Sequence, residues 1–94
     1  MVFAWDETKN RMNRRKHGVS FEAAARVFAD PVAVSYVDQV VDGEERWHTI
    51  GTARGIVLML VAHTVEVENG EEKIRIISAR KADPSERALY HPLE

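Results

Sequence analysis

Three cations and a hydroxyl stand in the segment Arg75-Ile76-Ile77-Ser78-Ala79-Arg80-Lys81, whose apolar filling reads as an interior strand. Charge on such a strand is costly unless it is paired or put to work. The work these residue types suit is holding phosphate. The planar fork of Arg75 or Arg80 can give a phosphate two parallel hydrogen bonds and stays charged at any working pH. Lys81 adds positive charge, and Ser78 can donate to a phosphate oxygen. Ser78 equally suits a cross-strand hydroxyl pair or a backbone bond. Cutting a phosphodiester beside a free hydroxyl without a metal would need a base near that hydroxyl, an acid for the departing oxygen and cations around the phosphorane.

A second set lies near the N-terminus. Wound at 3.6 residues per turn, Lys9, Asn13, Lys16 and His17 fall within about 100° of arc and share one helix face. That face suits RNA binding, while Met12, Thr8 and the alkyl stem of Arg15 lie on another, sheet-facing stripe. His17 is the best proton-transfer candidate among the histidines, although a helix C-terminus also suits a protonated imidazole for stability alone. A third set, Glu45, Arg46, Trp47 and His48, follows a turn. Arg46 suits an RNA backbone and Glu45 a base; Trp47 either stacks on a nucleobase or faces the core.

Strand alternation complicates the first set, because it places Arg75 and Lys81 on one face with Ser78 and Arg80 on the other. Two arrangements reconcile them. Either a β-bulge shifts the register after Ile77, or Arg80 reaches round from the strand end while Arg75 works from the opposite edge.

The elements that must position these residues are legible in outline. Val2 to Trp5 reads as a strand, Asp6 as the cap of a helix that Gly18 ends, and Ser20 as the cap of a second helix, Phe21 to Ala29. Asp30-Pro31 stops that helix. Strands follow at Val32–Val41, Arg46–Ile50, Ile56–Val67 and Lys73–Arg80, separated by Asp42-Gly43, Arg54-Gly55 and Asn69-Gly70. Asn69-Gly70 is the clearest hairpin signal. Asp83-Pro84 with Glu86 starts a short final helix, Ser85 to about Tyr90. The order βααββββα predicts an α+β fold: two N-terminal helices on a mainly antiparallel four- to five-stranded sheet, with a short C-terminal helix.

The 94 residues bound this to one domain, 1–94. A net charge of -2 argues against holding nucleic acid by overall attraction, so any basic cleft must come from local segregation. The chain has no Cys, and His17, His48, His63 and His91 show no ligand spacing, which argues against a zinc site. No cofactor is expected. No apolar run reaches the roughly 18 residues that suggest a membrane span, and no signal peptide opens the chain, so the cytoplasm is the expected compartment.

The block Phe3-x-Trp5-Asp6-x-x-Lys9-x-x-x-Asn13-x-x-Lys16-His17-Gly18-Val19-Ser20-Phe21 is followed by Val27-Phe28-x-Asp30-Pro31 and by Asp42-Gly43-Glu44-x-Arg46-Trp47-x-x-Ile50-Gly51. With His63-Thr64, the Arg75 to Lys81 stretch, Glu86-Arg87 and Tyr90, these blocks resemble the BrnT family of type II toxins from about residue 3 to 90. The resemblance implies a small RelE-like ribonuclease that inhibits growth until a BrnA-type ribbon-helix-helix antitoxin binds it. It also implies that the complex binds operator DNA through the antitoxin. A rival reading is a non-catalytic RNA- or protein-binding module of the same fold, a degenerate toxin.

Overall fold

Local chemistry starts and stops each element where the sequence suggests. The computed structural model describes residues 1–90, so His91 lies outside the described residues. β1 (Val2–Ala4) leads to α1 (Glu7–His17), where the Asp6 carboxylate accepts from the Lys9 backbone N–H and Gly18 closes the helix at φ 74°. α2 (Phe21–Arg26) is capped by Ser20 and tightens into a 3₁₀ turn, Val27–Ala29, rather than staying α-helical to Ala29. Then come β2 (Val34–Val41), β3 (Glu44–Ala53), β4 (Val57–Glu68) and β5 (Glu71–Lys81), and α3 (Pro84–Arg87) starts from an Asp83/Glu86 capping box. The order is the expected βααββββα. α3 is shorter than its expected span, and β3 is longer than Arg46–Ile50 because pairing extends to both of its hairpin turns.

At Asp42-Gly43 and at Asn69-Gly70 both turn residues have positive φ, as a type I′ hairpin requires. These turns lock β2 to β3 and β4 to β5 in a sheet of order β1-β5-β4-β3-β2, antiparallel throughout except that β1 runs parallel to β5. One face carries the helices. There Phe21, Ala24 and Val27 pack on Met59, Val61, Ile74, Ile76 and Ala79, all buried. Burying each large apolar side chain of this set contributes about 1.5–3 kcal/mol. Gly51 lies where β3 passes closest to this layer. A Cβ there would meet Val27 Cγ1 at 2.9 Å.

α1 docks in a way its sequence does not suggest. Met12 is 62% exposed, and the buried positions are Asn10 and Asn13. The expected sheet-facing stripe of Met12, Thr8 and Arg15 is therefore wrong, because hydrogen bonding outweighs apolar contact on this helix. Asn10 accepts from the Phe21 backbone N–H (2.8 Å) and donates to Glu22 (2.8 Å) and Glu7 (3.2 Å), tying α1 to the start of α2. Asn13 acts on the sheet. β1 covers β5 only from Lys73 to Arg75, which leaves the later part of β5 as a free edge. The Asn13 carboxamide pairs with it like the peptide group of a missing strand. Nδ2 donates to Ala79 O (2.8 Å) and to Val19 O (3.0 Å), and Oδ1 accepts from Ala79 N (3.2 Å).

His63 is buried on the helix face against the Phe28 ring, 4.8 Å between centroids. Its Nδ1 lies 3.2 Å from Thr64 O, which can only accept, so Nδ1 carries the proton and Nε2 accepts from Thr49 Oγ1 at 2.6 Å. Burial holds this imidazole below its ordinary pKa of 6.5. The unfolded chain therefore takes up this proton first as pH falls. Stability from the neutral His63 is present above pH 6.5 and is lost on acidification through the lowered folded value.

Removing the amide in Asn13→Ala leaves the Ala79 edge groups without their partner and should destabilise the fold by about 1–3 kcal/mol in urea unfolding. A change under about 0.5 kcal/mol would show that α1 is held by other means. Between about pH 7 and pH 5 the melting temperature should fall, and fall less in His63→Gln. Equal pH dependence in both proteins would remove His63 as the cause.

Candidate active site

The face of the sheet opposite α1 and α2 is ordered by register. Along β5 the partners run Thr64↔Arg75, His63↔Ile76, Ala62↔Ser78 and Leu60↔Arg80, so Ile77 is the extra residue of a bulge. The shift rewrites the alternation beyond it. Arg75, Ser78 and Arg80 fall on one face, with Thr64, Ala62 and Leu60 of β4, while Ile74, Ile76 and Ala79 keep the core face. Of the two arrangements open to the sequence, the structure adopts the bulge.

β3 continues the same rows. His48 lies beside Ala62 and Ile50 beside Leu60, and one step further along the register Arg46 falls beside Thr64. In β2 the ladder slips at Asp38, and the slip sets Tyr36 opposite His48. This face thus has three successive rows, Arg46–Thr64–Arg75, Tyr36–His48–Ala62–Ser78 and Ile50–Leu60–Arg80, of which Thr64, Ile50 and Leu60 are buried.

Carboxylates orient the cations. Arg80 donates from Nη1 and Nη2 to the two Glu86 oxygens, each at 2.7 Å, in the bidentate geometry that suits guanidinium. This bond holds the Glu86 carboxyl below its ordinary value and raises Arg80. Glu44 Oε1 accepts from Arg75 Nη2 at 2.9 Å and lies 3.4 Å from Arg46 Nε. Beside them Tyr36 Oη is 3.1 Å from His48 Nδ1, and His48 Nε2 is 3.5 Å from Asp38. Burial, reinforced by the charges of Glu86 and Asp38, raises the Tyr36 phenol above 10.0, so it keeps its proton at neutral pH.

The sequence-derived candidates divide by face. Arg46, Arg75, Ser78 and Arg80 come together. Lys81 is an exposed residue paired with Met59 and Trp47 is paired with His63, so both belong to the opposite parity and leave the open face. Trp47 is helix-facing, and base stacking on the cleft is closed to it. Glu45 likewise alternates away from Glu44 and Arg46. Asn13 is buried, with both ends of its amide bonded to backbone, so it cannot also serve RNA. Lys9, Lys16 and His17 line a groove between α1 and the β5 edge of about 520 Å³ together with Met12, Ile77 and Ser78. This groove meets the open face at Ser78.

Sequence reasoning misses Tyr36, Glu44, Thr64 and Glu86. For His48 a signal existed, since it shares the parity of Arg46. For Tyr36 there was none, because only the slip at Asp38 brings it opposite His48.

A small α+β protein with arginines, a histidine and a tyrosine on one open sheet face is the class that fold and site define. Residues 5–86 match the family described as the ribonuclease toxin BrnT of type II toxin–antitoxin systems. The chain belongs to this family. Its fold is similar to the crystal structure of the Brucella abortus ribonuclease toxin BrnT, with TM-score 0.64 and 26% identity over 88% of this chain and 99% of that one. No match is found among curated protein sequences. As a type II toxin it has an antitoxin partner and an RNA substrate. Among the described residues no helix is long and apolar enough to cross a membrane.

Proposed function

We propose that this chain is a metal-independent endoribonuclease that cuts RNA on the open sheet face and, made alone, halts bacterial growth. The observation that carries this reading is the bulge at Ile77, which puts Arg75, Ser78 and Arg80 on one face beside the Tyr36–His48 pair. The two guanidinium groups supply the positive charge that a phosphorane needs. Ser78 donates to a non-bridging oxygen.

In the proposed step the 2′-oxygen of the substrate bonds to phosphorus and the 5′-oxygen leaves. The 2′-hydroxyl proton passes to the Tyr36 oxygen as the phenol proton passes to His48 Nδ1, and Asp38 steadies the resulting imidazolium at Nε2. The departing 5′-oxygen takes a proton from solvent. The products are a 2′,3′-cyclic phosphate and a 5′-hydroxyl. Glu86 stays ionised and serves to aim Arg80 rather than to donate a proton.

The groove of Lys9, Lys16 and His17 adjoins Ser78 and extends the positive track for RNA beyond the sheet. A BrnA-like ribbon-helix-helix protein is the proposed antitoxin, and the complex would bind operator DNA through it. The rival reading, a degenerate toxin that binds without cutting, draws on the fact that Arg75 and Arg80 both already hold carboxylates.

Arg75→Ala and Arg80→Ala should each slow RNA cleavage by about 100- to 1000-fold, the scale of losing one group that stabilises transition-state charge. Circular dichroism should remain that of the parent. EDTA should leave the parent's rate unchanged, and induction of the parent alone should arrest growth with loss of bulk RNA. Normal growth with intact RNA at verified expression would favour the binding module, and chelator inhibition reversed by Mg²⁺ would overturn the metal-free route.

A further inference from the structure

Thr64 is 1% exposed, and its Oγ1 has no hydrogen-bond partner among the described residues. A buried hydroxyl without a partner costs stability, and valine would fill nearly the same volume without that cost. Its neighbours on the open face are cations. Arg75 is its register partner on β5, and Arg46 falls beside it on β3. The Arg46 Nε is also buried and lacks hydrogen-bond geometry to any described group, although Glu44 Oε1 is 3.4 Å away. One carboxylate therefore stands before two guanidinium groups and leaves two donors unused.

We infer that Arg46 and Thr64 form a second phosphate subsite, which takes the RNA phosphate next to the scissile one, with Arg75 bridging the two phosphates and Glu44 as the displaceable occupant. This rests on the reading of the open face as the RNA-cleaving site. A phosphodiester presents more acceptor lone pairs than a single carboxylate oxygen does. It can take the Arg75 bond now made to Glu44 and also accept from Arg46 Nε and Thr64 Oγ1. Glu44 is 38% and Arg75 41% exposed at the side chain, and ion pairs so open to water are weak, so exchange for phosphate is easy. The row lies one pleat period, roughly 6.6 Å, from the row of His48 and Ser78. RNA lying along β5 meets both rows in succession.

The test measures binding of a 2′-O-methyl oligoribonucleotide, which lacks the attacking hydroxyl, by fluorescence anisotropy over a salt series. Thr64→Val should melt at or above the parent temperature yet bind about tenfold more weakly, the loss of one hydrogen bond to a charged acceptor. Thr64→Ser should bind like the parent. Arg46→Gln should lower the slope of log affinity against log salt by about 0.7, the single-strand value for one phosphate contact. Glu44→Gln should bind more tightly. Parent-like affinity in Thr64→Val together with a parent-like salt slope in Arg46→Gln would overturn the subsite, even where the parent cleaves RNA. Should Thr64→Val fail to fold, the Arg46→Gln slope alone decides in the same way. A parent that binds with the expected pattern but never cleaves would instead keep the phosphate contact of Arg46 and Thr64, without a scissile neighbour, and refute the nuclease reading.

Discussion

The structure turns on one extra residue in β5. Strand geometry alternates side chains with a period of two, so a regular strand would send Arg75 to one face and Ser78 and Arg80 to the other. The bulge at Ile77 removes that conflict and is itself held from two directions. Ile74, Ile76 and Ala79 are all buried in the helix-side core, a pattern that only a one-residue shift after Ile76 satisfies. Asn13 then grips Ala79 through both its N–H and C=O, which fixes the register beyond the bulge and anchors α1 in the same contact. Slipping the strand by one residue would exchange core and open face along its whole length. Packing of the core and alignment of the cations are thus a single requirement.

Electrostatics on the open face follow a common scheme. Each arginine there is aimed by a carboxylate, Glu86 for Arg80 and Glu44 for Arg75 and Arg46. The Glu44 pairs are partly exposed, so they contribute little to stability and are easily exchanged for another anion, whereas the bidentate Arg80–Glu86 pair, with Glu86 only 12% exposed, stays in place. Their consequence is preorganisation. The guanidinium groups are held in fixed orientations, and Glu44, Glu86 and Asp38 balance the charge of Arg46, Arg75 and Arg80 on this face of a chain whose net charge is -2. Glu86 joins this scheme to the backbone, since the carboxylate that holds Arg80 also accepts from the Asp83 N–H in the capping box of α3. At the far side of α3, Tyr90 donates to Asp30 at 2.6 Å. Burial pushes the Asp30 carboxyl up, but bonds from Tyr90, Thr52 and Val32 outweigh it and hold the group below its ordinary value.

Much of this was legible in the residues. Caps at Asp6, Ser20 and Asp83, turns at Asp42-Gly43 and Asn69-Gly70, and the switch to β-branched residues after Pro31 carry their own local physics, and the elements follow. The cations of β5 were legible as a candidate site because charge on an interior strand demands a reason. What was not legible depends on contacts between distant segments. From the Asp42-Gly43 turn a regular ladder would set Val37 opposite His48, and only the slip at Asp38 substitutes Tyr36. Asn13 shares a helical face with Lys9 and Lys16, and nothing local distinguishes an asparagine that binds RNA from one that completes a sheet edge. Lys81 and Trp47 stand beside the right residues in sequence and on the wrong face in space.

The central claim is that RNA lies on the open sheet face and not on the helix face. It is tested most directly by NMR, with an assigned spectrum of the protein titrated with the uncleavable 2′-O-methyl oligoribonucleotide. The largest shifts are expected at His48, Thr64, Arg75, Ser78 and Arg80, with smaller ones at Lys16 and His17, while Phe21 to Arg26 stay unmoved. Shifts confined to α1 and α2, with the β5 resonances of Arg75 to Arg80 unchanged, would contradict it.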